Sequence, residues 1–187
     1  MLGHKLWPRL FKVRFSYFDE TETRQWDASH PPWKGAKRYD IIVVFNVLEH
    51  IADDGKALQN WAGLLQPEGR LIVLVPQGPA LYSPIDKAIG HYRRYSRREL
   101  CAKLEAAGLS VRESFYSNFL GIFGWWVTGI LLRRSDLNAG SVRLYAWIKW
   151  AFGPLERVFE NFAGLSVVAV AQAPAEEKKS SVRRRAA

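Results

Sequence analysis

The sequence predicts an α/β fold built on a mainly parallel sheet, and three observations predict it. Residues 41–45 and 71–75 are continuous apolar runs rich in β-branched side chains, the composition of parallel strands covered on both faces. Between them Ala57, Leu58, Trp61, Leu64 and Leu65 recur at helical spacing. Two parallel strands joined by a helix cross over right-handedly, so residues 46–50 and the chain from Pro76 onward emerge at one sheet edge. Open α/β sheets bind ligands beyond the carboxyl ends of their strands.

Each element has its own punctuation. Residues 1–22 stay unassigned: Val13, Phe15 and Tyr17 alternate with polar residues as a strand does, yet no helix follows. Residues 23–27 read as a short strand, and SHPPWKGAK as a loop leading into the first long strand. Asp53 or Asp54 offers an N-cap for the helix, and Pro67 with Gly69 stops it. Pro76 ends the second strand, and a polar, aromatic connection runs from Gln77 to Tyr95. Ser96 and Glu99 form a capping box that opens a helix with Leu100, Leu104 and Ala107 on one face, closed by Gly108.

Residues 109–116 alternate as a strand, and LSVVAVA (165–171) is another continuous one. Between them lies an aromatic insert, residues 117–163, expected to be helical. Residues 114–132 carry no charge but include Ser, Tyr, Asn, Thr and three glycines, which argues against a spanning helix of about 20 apolar residues. Trp125, Trp126, Trp147 and Trp150 with Arg133, Arg134 and Lys149 suit either a membrane-surface belt or a lid over the sheet.

Composition sets the outer bounds. A chain of 187 residues with 48% hydrophobic content has enough apolar surface for one domain, residues 23–172 here. The net charge of +9 resides largely in residues 91–98 and in the tail, residues 173–187, which is expected to be disordered. No specific nucleic acid is therefore expected. A single cysteine, Cys101, and the lack of a secretory apolar stretch in the first 15 residues make cytoplasmic residence the expectation.

YDIIVVFNVLEHI, GRLIVLVP, GHYRRYSRREL and AAGLSV, taken in that order, resemble the second half of class I S-adenosylmethionine-dependent methyltransferases of the small-molecule type with an LEH turn. The resemblance implies a Rossmann-like sheet in which residues 39–45, 71–75, 109–116 and 165–171 are strands four to seven, the seventh antiparallel. It implies S-adenosylmethionine as cofactor, with Asp27 and Ala28 against its adenine and Asn46, Val47 and Leu48 along its methionine part. Family members also carry a GxGxG loop after their first strand, where glycine lets the backbone approach the ligand closely. Here Gly3 is the only glycine before Gly35, so the sequence reads as a partial sheet, N-terminally incomplete, without strands one and two.

Chemistry is expected from two segments. His50 and His91 are candidate bases for an acceptor proton, and Glu49, Tyr82, Tyr92, Arg93 and Tyr95 are candidates for holding the acceptor. The plainer alternative has Glu49 and His50 bracing a helix start and the HYRRY run as a solvated loop. A metal held by Glu49, His50 and His91 is chemically conceivable, but nothing in their spacing asks for one, and none is expected. The predicted function is methyl transfer to a small, lipid-linked or sugar-like acceptor. The alternative is a non-catalytic membrane- or partner-binding remnant of the same fold.

Overall fold

A computed structural model describes residues 26–32, 36–133, 158–159 and 161–176. In chain order its elements are β1 (Tyr39–Phe45), α1 (Asp54–Gly63), β2 (Leu65–Pro76), α2 (Pro84–Ala88), α3 (Arg97–Ala106), β3 (Ser110–Ser117), α4 (Phe119–Trp125) and β4 (Ser166–Gln172). They form one four-stranded sheet in the order β1-β2-β4-β3. β1 and β2 are parallel, and β4 runs antiparallel between β2 and β3. An antiparallel last strand is what the family resemblance implied.

One face of this sheet carries the core. Val44, Leu71, Val73, Val75, Val167, Ala169 and Ala171 meet Leu58 and Trp61 of α1 and Leu100 and Leu104 of α3 in a single apolar cluster. The other face differs from expectation at β1. Ile41, Val43 and Phe45 are 57%, 51% and 51% exposed, whereas Val44, pointing the opposite way, is buried. Period-two alternation separates these two sets. β1 is also an edge strand among the described residues, so its unbroken apolar run does not reflect burial on both sides.

Helix α1 begins as expected, Asp53 accepting the Lys56 N–H at 3.0 Å, but ends earlier, at Gly63. Pro67 and Gly69 lie four residues or more beyond its end. They form a tight turn that bulges out of the β1–β2 ladder, where Tyr39 pairs with Leu65 and Ile41 already with Arg70. Glu68 is left-handed there (φ 62°), and a Cβ on Gly69 would sit 2.8 Å from the Gln66 carbonyl oxygen. Helix α3 keeps half of its expected box: Ser96 Oγ accepts the Glu99 N–H at 3.1 Å. Ser96→Ala should cost about 1 kcal/mol, seen as a lower denaturation midpoint with an unchanged slope.

Several expectations fall at the edges of the described chain. Trp26–Pro32 contains a turn closed by the His30 N–H on the Asp27 carbonyl, 3.0 Å, rather than a strand, and residues 23–25 lie outside the described residues. In the insert, α4 continues with wider i→i+5 bonding through Trp126–Leu131, while Arg134, Trp147, Lys149 and Trp150 lie outside the described residues. At the start of the segment expected to be a disordered tail, the Ala173 N–H donates to the Gly69 carbonyl and the Pro174 carbonyl accepts from the Glu68 N–H. Residues from 177 onward lie outside the described residues. No described helix is long and apolar enough to cross a membrane.

Candidate functional site

The end of β1 turns sharply into the site. Asn46 still pairs with β2 through its N–H on the Leu74 carbonyl, 2.9 Å, and then adopts φ 51°, a left-handed conformation that asparagine tolerates better than most residues. One 3₁₀ turn follows, Leu48–His50. Leu48 is fully buried in the core and anchors the turn, so Glu49 and His50 fall on its cavity side.

The connection after β2 closes over this turn. The Tyr92 N–H donates to the Glu49 carbonyl at 2.8 Å, and His50 Nδ1 meets the Gly90 carbonyl at 3.2 Å. Gly90 has φ 83°, a backbone position that favours glycine. The two segments thus meet at one rim, as the crossover geometry requires. Their junction leaves a cavity of about 320 Å³ lined by Asn46, Glu49, His50, His91, Arg94 and Trp125, among others.

A buried carboxylate, Asp86, holds the cavity wall in place. It accepts from His91 Nδ1 (2.8 Å), Arg94 Nε (2.9 Å), the Ser83 N–H (2.9 Å) and the Ser83 hydroxyl (3.1 Å). Burial alone would raise its pKa, but these donors, with the Arg94 charge, hold it below the ordinary carboxylate value. Trp125 closes the cavity from the insert side: its indole N–H donates to the Leu81 carbonyl at 3.0 Å, and its ring lies 4.3 Å from the Arg94 guanidinium carbon.

Glu49 has a different environment. It is fully buried, and among the described residues neither of its carboxylate oxygens has a hydrogen-bond partner. His91 Nε2 approaches Oε1 only to 3.7 Å. Burial pushes this carboxyl up to about 7, against the weaker opposing pull of its own backbone N–H, His91 and Arg94. His50, edge-on to His91 with ring centroids 4.6 Å apart, is lowered by burial and then by the His91 charge, so the neutral imidazole is favoured.

The remaining expected site residues divide. Ala28 and Val47 line a second cavity of about 430 Å³ along the outer edge of β1, with Trp26, Ile41, Val43 and Trp61. Asn60 fixes that segment to α1 by donating to the Ala28 and His30 carbonyls, both 2.8 Å. Asp27 is exposed, its carboxylate lowered by the Ser29 hydroxyl and N–H. Tyr82 donates its hydroxyl to the His91 carbonyl, 2.8 Å, and Tyr92 is 61% exposed on the rim.

Three of the expected residues, Tyr95 and Arg93 for the acceptor and Leu48 for the cofactor, have side chains engaged in the core or in an ion pair. Tyr95 is fully buried, its hydroxyl given to Asp54 (2.9 Å) and Leu48 (3.3 Å), so it packs the core rather than facing a ligand. Arg93 is paired with Asp54 at 2.7 Å and with the Ala52 carbonyl. The Leu48 side chain is enclosed in the core. Asp86 braces this cavity without having been singled out in the sequence, and Trp125, expected in a membrane-surface belt or a lid, lines it. For Asp86 a signal existed, since Ser83-Pro84-x-Asp86 is an N-cap pattern.

Comparison with known proteins agrees with this architecture. A Bacillus halodurans protein assigned as a methyltransferase superposes with a TM-score of 0.50 at 16% identity, over 81% of this chain and 71% of its own. The Bacillus subtilis protein YcgJ gives 0.47 at 16%, over 82% and 70%. The N-methyltransferase NodS of Bradyrhizobium japonicum, crystallised with S-adenosyl-L-homocysteine, gives 0.44 at 16%, over 79% and 52%. The chain thus spans between about half and 71% of these proteins, and at such identities the first of them is a likeness of fold. No curated protein sequence matches it. A family model described as a methyltransferase domain matches residues 8–114, starting within the segment left unassigned by sequence. Covering more than half of the 187 residues, that match makes the chain a member of the methyltransferase-domain family.

Proposed function

We propose that the chain uses S-adenosylmethionine to methylate a small, sugar-like or lipid-linked acceptor seated at the Glu49–His91 rim. The observation that carries this reading is that one turn faces two cavities. Val47 lines the groove along β1 together with Ala28, on the side expected for the cofactor, while Asn46, Glu49 and His50 line the cavity under Trp125. The cofactor supplies an electrophilic methyl group for an in-line displacement. The protein aligns the acceptor and excludes water, and in the cation-free site the neutral His50 is suited to take the acceptor proton. Exposed Phe123, Trp126, Leu131 and Leu132 on the insert offer a peripheral membrane contact, which suits a lipid-linked acceptor and a cytoplasmic, membrane-associated location.

Calorimetric titration with S-adenosylmethionine and S-adenosylhomocysteine tests this. Both should bind, and Val47→Asp, which puts a charge in the groove, should weaken them at least tenfold, about 1.4 kcal/mol. Absence of heat with either nucleoside would sink the reading. The exposed Ile41, Val43 and Phe45 favour a second reading, a non-catalytic partner- or membrane-binding remnant. Retention on liposomes without nucleoside binding is its signature.

A further inference from the structure

We infer that Glu49, His50 and His91 form a binding site for one divalent cation of the zinc class. Residue spacing alone offers no reason to expect a metal, but the folded geometry does. One donor atom from each of the three residues lies within 4.8 Å of the others. His91 Nε2 and Glu49 Oε1 are 3.7 Å apart. Ligands bonded at roughly 2.1 Å around a tetrahedral zinc stand about 3.4 Å from each other, so modest side-chain movement closes the site.

Three further features suit a cation. Glu49 is buried with neither oxygen hydrogen-bonded among the described residues, a costly state for a carboxylate unless a positive charge compensates it. The nearby Arg94 gives its Nε to Asp86 at 2.9 Å and Nη1 to the Gln77 carbonyl at 3.1 Å, and among the described residues it forms no hydrogen bond to Glu49. Both histidines are also oriented from behind. His91 Nδ1 is held by Asp86 at 2.8 Å, the carboxylate–histidine arrangement that fixes the orientation of a ligating ring. His50 Nδ1 meets the Gly90 carbonyl, which makes Nε2 the lone-pair nitrogen.

Two imidazoles and one carboxylate suit a borderline first-row dication better than magnesium or calcium, which prefer all-oxygen shells. Three protein ligands leave a coordination position open, and the three residues line one cavity with Asn46, Trp125 and Ser166. An oxygen donor, such as an acceptor hydroxyl, fits that position. Cation binding stands on this geometry alone; only the identification of the oxygen as the acceptor's rests on the methyl-transfer reading.

The test uses the untagged full chain, stripped with a chelator and titrated with zinc chloride by calorimetry. One Zn²⁺ per chain should bind, and zinc should raise the thermal midpoint. Glu49→Gln, which keeps the shape, and His91→Asn should each weaken binding at least tenfold and abolish the thermal shift, while His30→Ala at the exposed turn leaves both unchanged. Because a variant can misfold, Co²⁺ is added to the wild type as well, where enhanced ligand-field bands are expected. No stoichiometric zinc, equal affinity in Glu49→Gln, or a cobalt spectrum no stronger than that of the aqueous ion would each overturn the site. Nucleoside binding measured on the same stripped protein separates failure here from failure of the methyltransferase reading.

Discussion

Asp86→Ala should destabilise the protein by about 4 kcal/mol, because removing one partner of a buried charge pair strands the other. Asp86 and Arg94 are 0% and 4% exposed, so neither is rehydrated in the folded state when its partner goes. The substitution also removes the acceptor for the Ser83 N–H and hydroxyl at the start of α2 and for His91 Nδ1. Among the described residues Arg94 would keep its bond to the Gln77 carbonyl, 3.1 Å, its face on Trp125 and the more distant pull of Glu49. For a chain of this size the loss corresponds to a thermal midpoint lower by about 10 °C. Chemical denaturation of the two proteins checks it. A loss under about 1 kcal/mol would mean that water reaches Arg94 readily and that Asp86 does not organise the cavity wall.

What the sequence disclosed and what it withheld follow from the range of the forces involved. β2 and β4 were readable because their apolar runs are continuous and both lie inside the sheet, and Asp53 and Ser96 were readable because a cap bonds only three residues away. The exposure of Ile41, Val43 and Phe45 was not readable, since whether a strand face is covered depends on chain far away in sequence. Pro67 and Gly69 marked a real turn but not its place, which lies in the ladder after the helix has ended. In the HYRRY segment a rim tyrosine and a core tyrosine look identical locally. Only the fold distinguishes Tyr92, 61% exposed, from Tyr95, which is fully buried 41 residues from its partner Asp54. The orphaned state of Glu49 is likewise invisible until three segments converge.

Asp54 ties those segments together, and Asp54→Ala should cost about 3 kcal/mol at pH 7. From the first turn of α1 its carboxylate accepts from Arg93 at 2.7 Å, Lys103 of α3 at 3.0 Å and the Tyr95 hydroxyl at 2.9 Å. The cost lies below that of Asp86 because Arg93 and Lys103 side chains are 29% and 31% exposed and recover some hydration. Burial works to raise the Asp54 pKa, but the three hydrogen bonds outweigh it and hold the group below its ordinary 3.8. The folded state therefore binds this proton less readily than the unfolded chain. Its stabilising contribution is complete above pH 3.8 and disappears as the pH falls through the lowered folded value. The gap in thermal midpoint between wild type and Asp54→Ala should hence be constant from pH 7 to about 5 and narrow progressively in more acid solution. A gap that widens with acid would reverse the sign of the shift. A gap absent at pH 7 would show that Arg93 is not engaged by Asp54 and is available at the rim, where the sequence first placed it.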